Sequence, residues 1–290
     1  MNFTLDQLRA FLEISHAGGV RKAAERLNIT QPAVTARLKA LEDTLGTELF
    51  DRSAGMMLTK SGDALLGYAE QYLELGSLIE RDVAGPESFA GLFRLGVSET
   101  IVQSWLPEFV RSLGTAYPKL SVEIDVDISL ALRDRLLENK IDVALLMGPV
   151  SDFRVENVPL PEFRLSWFRS REAEVWNPAD GASVITFARD TRPFRSMKQA
   201  LLERYGPDVA VFPSSSLSAC FRLVAAGLGV GALPAALATP YVERGEIEEF
   251  DLGWTPEALS FTASFLAGPG SVLRREAALL AQEAAERAAR

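Results

Sequence analysis

The 290-residue chain contains a single cysteine, Cys220, and a single histidine, His16. One cysteine rules out an internal disulfide and any multi-cysteine metal site. One histidine removes the usual basis for a His-rich metal centre or a Ser-His-Asp triad. No G-x-S-x-G and no phosphate-cradling glycine loop is present. No cofactor, metal or catalytic residue is therefore expected, and the chain does not read as an enzyme. Long apolar runs are missing too. Nothing approaches the roughly 18 to 20 uncharged apolar residues of a spanning helix, and "MNFTLDQLRAFLEI" lacks the apolar block of a signal peptide. These absences predict a cytoplasmic protein with no membrane partner. A basic excess is also lacking. The net charge is −9, which argues weakly against a nucleic-acid binder. Residues 1–62, however, hold eight Lys/Arg against seven Asp/Glu, so the acidic excess lies in the rest of the chain.

What is present is a globular composition, 48% hydrophobic and 24% charged, at a length that suits about two domains. Thr4 with Gln7 three residues on reads as a capping box. Leu5, Leu8 and Leu12 then form an apolar stripe, with Phe11 beside them, that breaks at Gly18 and Gly19. A short helix from Val20 to about Leu27 follows, then a turn at Asn28 and Ile29. Thr30 reads as the N-cap of a third helix with Pro32 in its first turn. There Val34, Leu38, Leu41 and Leu45 fall in one arc, which leaves Gln31, Pro32, Thr35, Ala36 and Lys39 on the opposite side. Gly46 ends the helix, and "ELFDRSAGMMLT" reads as two short strands around Ala54 and Gly55. Three helices and a wing make a winged helix-turn-helix.

From Thr59 to about Val83 the pattern is one long helix, with Leu65, Tyr72 and Ile79, and Ala69, Gly76 and Val83, at seven-residue spacing. That is the spacing of a pairing face between copies of the chain. "AGPESFAG" (84–91) reads as a linker. Beyond it strand and helix patterns alternate through "LFRLGV", "LSVEIDVDI", "DVALLMG", "SVITFA", "DVAVFP" and "VGALP" to a last helix from Val272. The alternation marks an α/β region with mostly parallel strands, long enough for two lobes.

On the third helix, a free N-terminus offers N–H groups to a phosphate. Gln31 suits adenine N6 and N7, and Pro32 suits a thymine methyl. Thr30, Thr35, Arg37 and Lys39 complete the DNA-facing set, with Arg52 as the wing's phosphate contact. At this point a resemblance is visible. Residues 1–62, through "LRAFLEISHAGGVRKAAERLNITQPAVTARLKALEDTLGTELFDR" and "LTKSG", resemble the winged head of the LysR-type transcriptional regulators. "LLENKIDVALLMG" and "LVAAGLGVGALP" carry weaker similarity through the remainder. The resemblance implies a DNA-binding head (1–58), a linker and dimerisation helix with its hinge (59–91), and a two-lobed, periplasmic-binding-protein-like α/β effector domain (92–290). Its first lobe would take about 92–161 and 266–290, and its second about 162–265. It also implies a homodimer or homotetramer, dyad-symmetric double-stranded DNA sites, a small-molecule effector between the lobes that alters how dimers are arranged, and a C-terminal helix returning to the first lobe. Two departures stand out: Ala36 occupies a place often polar in relatives, and the wing is one residue short with a single cation. Fewer phosphate contacts are expected.

In open α/β sheets, ligands bind at the carboxyl ends of strands. Ser98, Glu99, Thr100, Ser129, Met147 and Gly148 sit at such ends in the first lobe, and Thr191, Arg192, Ser215 and Ser216 in the second, with Ser214 beside them. Each serine is also an ordinary helix cap. Hydroxyls and helix N-termini favour a polar or carboxylate-bearing metabolite. Glu99, if turned inward, would call for a donor end as well, as in an amino acid. Cys220 reads as a buried structural residue and His16 as a cation suited to a helix C-terminus. The charge patterns "RLLENK" and "RREAALLAQEAAERAAR" read as solvated helix faces. The competing reading is a small-molecule enzyme or solute-binding protein that uses the α/β lobes.

Overall fold

A computed structural model of the protein describes residues 3–51, 55–84, 91–173, 183–267 and 271–289, with backbone only at 74, 77, 78 and 80–84. The chain divides into two compact units, 1–89 and 90–290.

In the first unit α1 (Leu5–Ala17) starts on the expected capping box: Thr4 Oγ1 accepts from the Gln7 N–H at 3.3 Å, and Gln7 Oε1 accepts from the Thr4 N–H at 2.8 Å. Gly18 closes it in the left-handed conformation that glycine adopts without penalty. Helix α2 (Val20–Leu27) and α3 (Gln31–Leu45) are joined by a turn through Asn28 at φ 52°. Leu8, Phe11, Ile14, Ala23, Val34, Leu38 and Leu41 form one buried cluster with Leu49 and Phe50. Two short strands, β1 (Phe50–Asp51) and β2 (Met57–Leu58), pair antiparallel with Phe50 opposite Leu58 and make the wing. Glu42 is buried among the apolar residues, and its carboxylate accepts the Leu49 N–H at 2.9 Å, fixing the chain as it leaves α3 for the wing.

Helix α4 (Lys60–Ala84) begins against that wing. Gly62 is obligatory here: a Cβ on it would sit 2.1 Å from the Leu49 carbonyl oxygen. The expected pairing seam divides in two. Ala69 is 1% exposed and, with Leu65 and Leu73, packs on the head's own core, while Gly76 faces Leu5. Tyr68, Tyr72, Leu75 and Ile79 form the exposed apolar stripe instead. Val83 lies outside the described side chains.

The second unit contains two five-stranded sheets of matching design. In the first lobe β3 (Gly91–Val97) pairs in parallel with β4 (Leu120–Val126) and with β5 (Val143–Met147). Helices α5 (Glu99–Val102), α6 (Leu106–Ala116) and α7 (Ser129–Leu137) make the connections. After β6 (Val155–Pro159) the chain crosses to the second lobe and enters β7 (Leu165–Ser170). There β8 (Val184–Phe187) pairs in parallel with β9 (Val211–Ser214) and β10 (Val230–Pro234). Helices α8 (Arg192–Tyr205), α9 (Leu217–Ala225) and α10 (Ala235–Glu243) cover this sheet, and β11 (Ile247–Glu249) ends the lobe. The chain returns through β12 (Phe261–Leu266) and finishes in α11 (Val272–Ala288). The orders are β4-β3-β5-β12-β6 and β11-β7-β10-β8-β9.

The sheets are mixed: each has a parallel three-strand part extended through two antiparallel pairings, so that one strand, β12 or β7, runs against the other four. The return to the first lobe is made by 261, since β12 pairs with β5 and β6, ahead of the expected 266. Both crossings between lobes are extended. They meet at Phe163 and Leu259, whose N–H and C=O groups exchange bonds at 3.0 and 2.9 Å. Helix α11 lays a stripe of buried alanines, Ala277, Ala281 and Ala284 among them, on the first lobe. Its charged side is not purely solvated: Arg287 pairs with Glu108 at 2.6 Å, and Arg274, 14% exposed, lies 3.5 Å from Asp142.

Candidate functional site

Two surfaces could carry function. The first is the outward face of α3. Val34, Leu38 and Leu41 are buried, and Thr30, Gln31, Pro32, Thr35, Ala36 and Lys39 are exposed opposite them. Thr30 caps the helix by accepting the Ala33 N–H at 3.4 Å. The Thr35 hydroxyl donates back to the Gln31 carbonyl at 3.1 Å, so its hydrogen is used within the helix and its acceptor side is left outward. Arg37 differs from the rest of the predicted set. It is half-buried and bonds Asp6 of α1 at 2.9 Å, which ties α3 to α1 and spends its charge inside the head. Arg52 lies outside the described residues.

The second surface is a cavity of about 250 Å³ between the two sheets of the second unit, where the carboxyl ends of β3, β4, β5, β8 and β9 converge. Ser98, Glu99, Thr100, Ser129, Met147, Thr191 and Ser215 all line it, seven of the ten positions the sequence points to. The other three do not. Gly148 has a packing role: a Cβ on it would overlap the Thr262 hydroxyl at 1.9 Å. Ser216 caps α9, accepting the Ala219 N–H at 3.3 Å. Arg192, its side chain 70% exposed, lines an adjoining hollow of about 620 Å³ under α8 and sits 3.8 Å from Glu257.

Most of the cavity's hydroxyls are already engaged. Ser98 donates to the Leu145 carbonyl at 3.3 Å, Thr191 caps α8 and donates to the Ala188 carbonyl at 2.6 Å, and Ser129 accepts the Met147 N–H at 2.9 Å. The arrangement around Glu99 stands apart. Its carboxylate leaves the first lobe and seats on the N-terminus of α9 in the second. There it accepts the N–H of Leu217 at 2.5 Å, the N–H of Ser218 at 3.0 Å, and the Ser218 and Ser216 hydroxyls at 2.7 and 3.3 Å. Gln103, which also bonds Ser218 at 2.8 Å, donates to it at 2.9 Å. Burial alone would push the Glu99 carboxyl up, but the donors from Ser218, Leu217 and Gln103 outweigh it and hold it below the ordinary glutamate value. Helix N-terminal N–H groups and the helix dipole favour an anion, and here the chain supplies its own.

Comparison with known proteins identifies the family of both units. Residues 5–63 match the bacterial regulatory helix-turn-helix protein, lysR family, and residues 86–289 match the LysR substrate binding domain. The chain belongs to the LysR family of transcriptional regulators. It is 30% identical over 229 residues to the HTH-type transcriptional regulator YofA of Bacillus subtilis (strain 168), covering 78% of this chain and 80% of that one. Among solved structures, a Corynebacterium glutamicum OxyR C206 mutant superposes with a TM-score of 0.66 at 24% identity, covering 100% of this chain and 94% of that chain. Full-length CbnR complexed with its target DNA superposes with a TM-score of 0.54 at 23% identity, covering 96% and 100%. As a LysR-type regulator the protein binds DNA through its winged head and answers to a small-molecule effector held between its lobes; it is not an enzyme.

Several cavity residues of this LysR-type regulator escape a sequence reading. Asp127, directly after β4, lies on the cavity wall and bonds Arg135 at 2.9 Å; the same guanidinium also bonds Asp125. Arg135 belongs to "RLLENK", read above as a solvated face, and "VEIDVDI" gives no local sign that its aspartates meet an arginine of the next helix. Phe187 and Phe261 supply aromatic walls, and Cys220 the floor. Cys220 is 1% exposed, as its apolar helical neighbours imply. No helix of the described residues is long and apolar enough to cross a membrane.

Proposed function

We propose that the regulator reads DNA through Thr30, Gln31, Pro32, Thr35 and Lys39. Arg37 shares its charge with Asp6 and orients the helix, and Arg52 serves the wing. The observation that carries this is the clean division of α3 into a buried stripe and an exposed, N-capped polar face. Gln31 reads a base edge and the helix N-terminus holds a phosphate. The operator has dyad symmetry because the protein is a homo-oligomer, a dimer or a pair of dimers, joined through α4. Exposed Tyr68, Tyr72, Leu75 and Ile79 support that pairing, since their spacing of four, three and four is that of a two-helix seam. The functional division is a DNA-binding domain at 1–58, a linker and dimerisation segment at 59–91 and an effector domain at 92–290, at work in the cytoplasm.

The effector is a small polar metabolite bound in the 250 Å³ cavity, with Ser98, Thr100, Ser129, Thr191 and Ser215 as its polar contacts and Met147 as an apolar one. A mobility-shift assay on the gene's own upstream DNA tests the reading. A specific shift that competitor DNA of unrelated sequence does not remove is expected; absence of any specific shift, with turnover of a cleft ligand, would return the protein to the enzyme class.

A further inference from the structure

The cavity's chemistry restricts what enters it. Its charged lining among the described residues is Glu99 and Asp127, with no lysine or arginine. Arg135, which neutralises Asp127, is shared with Asp125, so the β4 end keeps a net negative charge. The α9 N-terminus on this wall, which would otherwise attract an anion, is filled by Glu99 through Leu217, Ser218 and Ser216, and the α7 N-terminus at Ile128 and Ser129 lies directly beside the Asp127 carboxylate. Arg192 does not compensate, because it lies in the adjoining hollow beside Glu257. A carboxylate arriving here would meet two like charges, and at the α9 end it would have to displace the Glu99 bonds that join the lobes.

The remaining features suit a cation. Thr100 is 7% exposed and lines the cavity, with no hydrogen bond to its hydroxyl among the described residues. Phe187 and Phe261 line it, and aromatic rings attract ammonium groups. The Cys220 thiol on the floor is pushed up to about 11, chiefly by burial and further by the charge of Glu99, against a lowering bond from Ser214.

We propose that the cleft takes a small ligand presenting an ammonium or similar cationic donor, and excludes ligands whose only charge is carboxylate. The inference rests on the reading of this cleft as the effector site. The test uses the full-length protein in thermal-shift and calorimetric titrations at matched ionic strength. Ethanolamine and 1,4-diaminobutane are compared with succinate and glutarate. The amines should raise the melting temperature and the dicarboxylates should not. Glu99→Gln and Asp127→Asn should each bind the amines roughly ten-fold more weakly, the loss expected when a charge-assisted hydrogen bond goes. Stabilisation by the dicarboxylates, stabilisation by neither class, or amine binding unchanged in both variants would overturn the proposal. The upstream-DNA shift, run on the same preparations, keeps the outcomes separable. If wild type and variants still shift DNA while the amine result fails, the regulator stands and only the ligand class falls.

Discussion

Glu99 behaves as a latch between lobes, and its titration has a definite sign. Its carboxyl is held below the ordinary glutamate value in the folded protein, so its contribution to stability is fully present above the ordinary value, about 4.3. The contribution fades as pH falls through the lowered one. The melting temperature of Glu99→Gln should therefore lie below wild type at neutral pH, and the gap should narrow on acidification below about pH 4. A gap constant with pH would mean that the charge contributes nothing. On α3, Thr30→Ala should cost about 1 kcal/mol of head stability by removing the cap bond to Ala33. Denaturant unfolding followed in the head measures it. Gln31→Ala should instead leave stability alone and cost about 1–3 kcal/mol of discrimination at one base pair. Equal weakening on all DNA would mean that Gln31 positions the head and does not read sequence.

At the scale of elements, the head is almost wholly legible in the sequence. Helices α1 and α3 each carry their own start and stop: Thr4 and Gln7 with Gly18, and Thr30 and Pro32 with Gly46. The parallel strands of the lobes are equally plain, because a helix pattern follows each. The strands that extend each sheet through antiparallel pairing, β6, β7, β11 and β12, are not. No helix pattern directly follows β6, β7 or β11, and β12 is buried along nearly its whole length, so no alternation betrays it. The cavity follows the same rule. Serines at strand ends are visible locally, whereas the direction of Glu99, the Asp127–Arg135 pair and the Phe261 wall depend on elements distant in sequence. The face of α4 that stays free is likewise decided by which residues the head covers. Leu75→Asp with Ile79→Asp should therefore shift the protein toward monomer in light scattering and weaken DNA binding, whereas Ala69→Asp should unfold the head. Gly62→Ala should destabilise the head by about 1–3 kcal/mol, the usual cost of overpacking, since the Leu49 carbonyl cannot move without disturbing the wing.

At the scale of the whole molecule, charge is distributed so that the proposed DNA-reading face of α3 holds few cations. Ala36 contributes none, and Arg37 is committed to Asp6. Each neutralised phosphate adds about 0.9 to the salt slope of operator binding, so the slope should be shallower than for relatives with a polar residue at the position of Ala36. A steeper slope would contradict it. Within the second unit, the only cysteine of the chain sits on the floor of the cavity, 1% exposed and with a thiol pushed up to about 11. As a nucleophile it is silent while the lobes are together. That silence makes it a clock. Cys220 packs in the second lobe's own core, so alkylation can proceed only from molecules in which the α9 wall has opened, and its rate counts those openings. Wild type should react slowly, Glu99→Gln faster, and a ligand that holds the lobes shut should slow both, with no label, no second cysteine to confuse the signal and no need to know the ligand beforehand.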